Sequence, residues 1–203
     1  MGLGKVSEDT NTRHCWLAAG VVAVVAILLE LGGKSVRDAL SYDRDAVAAG
    51  QLWRLVTGHF VHLGWSHLVL NVLGLALVAW LVGRTFNLLT WLYTGLATIV
   101  AIDAGFWLLN PKLAWYVGLS GLEHGLLTAG LFVGIAARRD REATILAVLV
   151  LAKLCWEQIV GPLPGSESTS GGAVIVDAHL YGTIGGLVAG ILAWRRVRTA
   201  ASI

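Results

Sequence analysis

Six largely apolar runs, at about residues 15–31, 65–83, 88–109, 114–137, 143–161 and 173–194, constrain this 203-residue chain more than any other feature. At about 1.5 Å per helical residue, each is long enough to cross about 30 Å of hydrocarbon. In lipid every backbone N–H and C=O must be paired within the protein, so runs of this length are read as helices. Composition agrees: Ala, Val, Ile, Leu, Met, Phe, Trp, Tyr and Cys make up 56% of the chain. Charged residues make up 14%, where about 25% is usual in soluble domains. A soluble domain of this length has too little interior to hide so much apolar surface. The expectation is an all-α polytopic membrane protein, a bundle of six transmembrane helices forming one domain over 1–203, with the lipid bilayer as its solvent.

A net charge of +2 and the lack of a Lys/Arg block away from the run ends argue against a nucleic-acid partner. Cys15 and Cys155 are not spaced as a metal knuckle or a disulfide framework, and are read as packing residues. Three prolines and the lack of a Ser/Gly linker argue against a second domain. Lys5 and Arg13 precede the first run, but no small-x-small cleavage site closes it, so it is read as an anchor.

Orientation follows from the positive charges. With the N-terminus inside, Lys5, Arg13, Arg84, Arg138, Arg139, Arg141, Arg195, Arg196 and Arg198 lie on the cytoplasmic side. Lys34, Arg37, Arg44, Arg54 and Lys112 lie outside, and Lys153 falls within a run. The excess predicts both termini in the cytoplasm, with the loops 32–64 and 162–172 facing outward.

Polar side chains inside a bilayer cost about 2.5–3.5 kcal/mol each when charged, so each needs a reason. The set is His67, Asn71, Asp103, Ser120, Glu123, His124, Lys153, Glu157 and His179. Ser120 and His179 each fall about six residues from the outer end of their run, near 9 Å below the surface. Asn71 enters the same layer, with His67 one turn above it. A hydroxyl, an imidazole, a second imidazole and an amide at one depth are the parts of acyl transfer: nucleophile, base and oxyanion donors. No carboxylate is needed if packing holds the imidazole. Taken singly, each residue also has a packing reading: a serine bonded to its own helix, a histidine donating between helices, a helix-start cap.

Gly182, Gly186 and Gly190 follow His179 on one helix face, and Gly121 and Gly125 form a small-xxx-small pair beside Ser120. Such faces let two helices approach closely, which would bring Ser120 to His179. Glu123 and Lys153 fall at equal depth and are expected to form a buried ion pair, with Glu157 as the competing partner of Lys153. The other reading of Glu157, with Gln158, is a lateral gate that reads substrate. Asp103 is expected to anchor a helix end or loop, Trp53 and Arg54 to anchor the 32–64 loop at the interface, and Thr57, His59 and His62 to staple it. His59, His62 and His67 invite a zinc reading, but no carboxylate or cysteine completes a site and H-E-x-x-H is absent, so no metal and no cofactor are expected.

These residues resemble the rhomboid intramembrane serine proteases. Trp53-Arg54, Thr57, His62, His67 and Asn71 are similar to the W-R, T, H and H-x-x-x-N pattern. Gly118-Leu119-Ser120-Gly121 is similar to the G-x-S-G nucleophile motif, and Ala178-His179-Leu180-Tyr181-Gly182 to A-H-x-x-G. Within that superfamily the chain is most similar to the rhombosortase branch, through Gly58-His59-Phe60-Val61-His62, His124 four after Ser120, and Lys153-Leu154-Cys155-Trp156-Glu157-Gln158 ahead of Asp177-Ala178-His179. The resemblance implies a bacterial inner-membrane protease opening to the periplasm. Its substrates would be exported proteins carrying a C-terminal Gly-Gly motif, an apolar helix and a basic tail. It implies a Ser-His dyad with Ser120 as nucleophile and His179 as base and later acid. His67, Asn71 and the Ser120 N–H would form the oxyanion hole, and Gly118, Gly121, Gly182 and His124 would support the site. His124 stands where many rhomboids carry a tyrosine stacked on the histidine. The alternatives are a general rhomboid protease acting on other single-span substrates, a catalytically silent client-binding relative, and a histidine-rich metal or haem protein.

Overall fold

A computed structural model describes residues 2–200, and of their side chains those of residues 9–196. Lys5 and Arg198, counted above for orientation, have side chains outside the described set. Among the described residues the order is α1 (Gly2–Leu31), α2 (Gly33–Leu40), β1 (Tyr42–Asp43), α3 (Arg44–Ala48), α4 (Arg54–Thr57), α5 (Trp65–Val82) and α6 (Leu88–Leu109). Then follow β2 (Trp115–Tyr116), α7 (Ser120–Arg138), α8 (Arg141–Ile159), α9 (Ser166–Ser170) and α10 (Val176–Ala200).

Among the long helices, α6 and α8 start where a side chain satisfies orphan N–H groups of the first turn. Asn87 Oδ1 accepts from Thr90 N at 2.9 Å to start α6. Asp140 Oδ1 accepts from Glu142 N and Ala143 N at 2.9 and 3.1 Å to start α8. Arg139 adopts the left-handed conformation, φ 52°, which ends α7 and turns the chain into α8.

Five helices are long and apolar enough to cross a bilayer by length and composition: Asp9–Leu31 within α1, α5, α6, α7 and Val176–Arg196 within α10. The protein is a multi-pass, all-helical membrane bundle. The sixth expected span falls on α8. The 143–161 run does form a helix, but Arg141, Glu142, Lys153 and Glu157 leave it too charged to qualify on apolarity.

α7 lies at the centre, touching α5, α6, α8 and α10, while α1 packs on α5 and α6. Its core face meets Leu68, Val78 and Ile99 through Leu122, Leu126 and Ala129. α7 and α10 approach more closely than side chains would permit. A methyl added at Gly182 would land on the Gly121 carbonyl, and one at Gly186 on the Gly125 carbonyl. The two helices therefore meet backbone to backbone along the faces that the glycine spacing marked.

The 32–64 segment is tied to the rest by hydrogen bonds. β1 pairs antiparallel with β2, Tyr42 opposite Tyr116. The buried Arg54 guanidinium donates to the carbonyls of Asp38 and Ser41 at 2.9 and 2.7 Å and to Gln51 Oε1 at 2.7 Å. Thr57 Oγ1 donates to the Leu40 carbonyl at 2.6 Å. Arg44 donates to carbonyls at the end of α6, those of Phe106 and Asn110, and to that of Leu113. Trp53 is 51% exposed, and its Nε1–H donates to the Ala39 carbonyl at 3.3 Å. His59 meets Asp103 at 3.4 Å, so the acid on α6 does hold this segment. A second apolar cluster, Tyr42, Ile102, Phe106, Tyr116, Ala178 and Tyr181, packs the segment onto α6 and α10. Burial pushes the Tyr42 and Tyr116 phenols up, so both stay neutral, and Tyr116 donates to the Gly118 carbonyl at 2.6 Å.

Candidate active site

Ser120 is the first residue of α7, not a residue six positions inside a helix. The apolar run begins at 114, but Trp115 and Tyr116 are drawn into the β pairing and Gly118 takes φ 122°, a left-handed conformation suited to glycine. The run's end and the helix's start therefore differ for Ser120. The proximity that depth predicted is nevertheless present, because Val176 starts α10 only three residues before His179. Ser120 Oγ lies 3.0 Å from His179 Nε2.

The other imidazole nitrogen, His179 Nδ1, lies 3.1 and 3.0 Å from the two carboxylate oxygens of Glu157 on α8. The imidazole thus has a carboxylate partner as well as its packing. A carboxylate on Nδ1 fixes the tautomer with its proton there and leaves the Nε2 lone pair for the serine hydroxyl. Both His179 and Glu157 are buried. Glu157 also lines the cavity described below. Gln158 is exposed on α8 and does not line the cavity described below.

Lys153 Nζ donates to Glu157 Oε2 at 2.7 Å. The expected Glu123–Lys153 pair does not form. Equal depth does not set direction around a helix: residues three and four after Ser120 are about 100° apart. Glu123 therefore turns to α5, where its carboxyl rests against Gly74, and His124 turns to α8 and α10. Glu123 Oε1 has no hydrogen-bond partner among the described residues.

His124 Nδ1–H donates to the Ser120 carbonyl at 2.7 Å, which leaves Nε2 to accept from Lys153 Nζ at 3.0 Å. Its ring stacks on that of His179, centroids 4.3 Å apart and planes 17° apart. His124, Glu157 and His179 each present a ligand atom, all within 4.8 Å of one another, and could hold a metal ion. The Lys153 ammonium reaches all three, at 3.0, 2.7 and 3.3 Å, and is the cation of that cluster.

On the other side, His67 Nδ1 accepts from the Leu63 backbone N–H at 3.3 Å, so its proton sits on Nε2. A Cβ at Gly118 would come within 2.8 Å of the His67 ring, so the glycine is what admits the imidazole beside the Ser120 turn. Asn71 Nδ2 donates one proton to the His67 carbonyl at 2.8 Å, leaving the second free. His67, Asn71, Ser120, Glu123, His124 and His179 share a cavity of about 470 Å³. α9 covers one side of it, through Ser166, Thr169 and Ser170.

Sequence reasoning placed Ser120, His179, His67, Asn71 and His124 together and missed the part played by Glu157. The available signal was that a buried imidazole and a buried carboxylate each need a partner, and an i, i+4 lysine satisfies only one of the two carboxylate oxygens.

Residues 49–196 match the Rhomboid domain family. The chain is 26% identical over 208 residues to the uncharacterized protein ML1171 of Mycobacterium leprae (strain TN), covering 93% of this chain and 76% of that protein. It is 26% identical over 192 residues to the rhomboid protease GluP of Bacillus subtilis (strain 168), covering 91% of this chain and 35% of that protein. It is 30% identical over 151 residues to the chloroplastic rhomboid-like protein 11 of Arabidopsis thaliana, covering 70% of this chain and 51% of that protein.

Proposed function

As the chain belongs to the rhomboid family, we propose that it is an intramembrane serine endopeptidase in which Ser120 is the nucleophile and His179 the general base. The observation that carries this is the 3.0 Å separation of Ser120 Oγ and His179 Nε2 beside a cavity that the polar side chains of His67, Asn71 and His124 also line. Ser120 Oγ attacks the scissile carbonyl while its proton passes to His179 Nε2. The tetrahedral oxyanion takes hydrogen bonds from the Ser120 N–H, His67 Nε2–H and the free Asn71 Nδ2–H. Each such donor is worth about 2.7–4 kcal/mol in soluble enzymes. His179 then protonates the leaving amine as the C–N bond breaks. Water entering beside α9 repeats the sequence on the acyl-enzyme, with Ser120 as leaving group.

The finer reading is a rhombosortase-type protease. It cuts exported proteins near a C-terminal Gly-Gly motif that precedes an apolar helix and a basic tail. Support comes from the Gly58–His62 run, His124, and Lys153–Gln158 ahead of Asp177-Ala178-His179. A bacterial inner membrane, both termini in the cytoplasm and a site opening to the periplasm fit the nine-to-five excess of cytoplasmic Lys and Arg.

The test expresses wild type, Ser120→Ala and His179→Ala beside a reporter with a Gly-Gly tail, and identifies the new C-termini by mass spectrometry. Cleavage by wild type alone, at the Gly-Gly motif, is the expected result. Cleavage that persists in either variant overturns the mechanism. Cleavage that ignores replacement of both glycines leaves a general rhomboid protease and removes the sorting substrate.

A further inference from the structure

We propose that Glu157 is a positioning residue of the reaction: clamped by Lys153 on its own helix, it holds the His179 imidazole and stabilises the imidazolium, so the site works as a Ser-His-Glu triad. The inference rests on the serine protease reading above. It assigns to α8 a part of the machinery that the two residues on α7 and α10 do not supply.

Three observations carry it. First, both oxygens of Glu157 lie within 3.1 Å of His179 Nδ1, and the carboxylate is 4% exposed, so no water layer separates the two. Second, Oε2 also accepts from Lys153 Nζ at 2.7 Å. The carboxylate that faces the histidine is therefore kept charged and fixed by a neighbour one turn away. Third, His124 closes the remaining face by stacking on His179 while its Nε2 accepts from the same ammonium. The imidazole is then held in one plane, with Nδ1 toward the carboxylate and Nε2 toward Ser120.

The chemistry follows. As Ser120 loses its proton to Nε2, His179 gains a unit of positive charge in a nearly dry site. The Glu157 carboxylate is aligned with that charge before the reaction begins, so no solvent need reorganise. The proton on Nδ1 stays there throughout, and Glu157 neither gains nor loses one. In a soluble triad, replacing the carboxylate by its amide lowers kcat about 10⁴-fold. The opposing view is that Lys153 and Glu157 form only an i, i+4 pair that neutralises α8, with His179 merely nearby.

The two views part on the following experiment. Wild type, Glu157→Gln, Glu157→Asp and the neutral double variant Lys153→Gln/Glu157→Gln are purified full-length in detergent. Three readouts are taken: kcat and KM on a cleavable reporter, the rate of Ser120 labelling by a fluorophosphonate, and the far-downfield proton resonance of His179 Nδ1–H. The expected result is a fall of about 10²- to 10⁴-fold in kcat for Glu157→Gln with little change in KM, slower labelling, and loss of the downfield resonance. The double variant stays equally slow, and Glu157→Asp lies between. The proposal is overturned if Glu157→Gln keeps kcat and labelling within about threefold of wild type, or if the double variant recovers activity. It is equally overturned if wild type shows no downfield His179 resonance, a measurement that needs no variant to fold. Failure of the protease reading looks different: wild type neither cuts a reporter nor labels at Ser120, while the resonance is present.

Discussion

His124 lies flat on His179, 4.3 Å between ring centroids, while its two nitrogens are committed to the Ser120 carbonyl and the Lys153 ammonium. The stacked face restrains the plane of the base, and the hydrogen bonds tie that face to the nucleophile's own turn. His124→Leu should lower the rate of Ser120 phosphonate labelling on the order of tenfold, since a misoriented base loses its near-attack geometry. His124→Phe, which keeps a flat ring without the hydrogen bonds, should lose less. Equal losses in the two would show that stacking contributes nothing.

Glu123 occupies space that exists only because residue 74 lacks a side chain: a methyl there would land on its carboxyl oxygen. Gly74→Ala should therefore destabilise the bundle by about 1–3 kcal/mol. Glu123→Ala should suppress much of that loss, because it removes both the obstacle and a buried acceptor without a partner. Thermal melts in detergent of the two single variants and the double form a cycle. Additive losses would mean that the two residues do not compete for the same volume.

The positions of the helices were legible in the sequence because lipid leaves the backbone few alternatives, and the glycine faces of α7 and α10 were legible because spacing maps directly onto a helix surface. What depth could not supply was direction. Glu123 and Lys153 share a depth but face different neighbours, whereas Glu157 and His179 face each other from helices whose rotation no single run reveals. Ser120 illustrates a second limit. Its run is apolar from 114 onward, yet pairing of Tyr116 with Tyr42, far away in sequence, holds residues 115–116 in a strand and delays the helix to 120.

Backbone contact between α7 and α10 sets the Ser120–His179 distance. Gly186 lies two helical turns from His179, and a side chain there meets the Gly125 carbonyl. Gly186→Val should thus spread the helices and abolish phosphonate labelling while protein still inserts in the membrane. The same substitution at Gly20, which has nothing within 4 Å of an added Cβ, should leave labelling unchanged. Labelling retained in Gly186→Val would show that the two helices can separate without parting nucleophile and base.

His62 is fully buried in the turn before α5, its ring edge-on to His67. Burial, with the neighbouring His67 imidazole adding to it, holds its pKa down to about 3 from the usual 6.5. The unfolded chain therefore binds a proton there that the folded chain does not, over the interval between those two values. Stability must fall as pH drops from about 6.5 toward about 3, and is flat in this respect above 6.5. His62→Phe removes the titration while keeping a ring of similar size. Its melting temperature in detergent, compared with wild type, should improve progressively as pH is lowered from 7 to 4. A difference that stays constant across that range would place the acid sensitivity elsewhere.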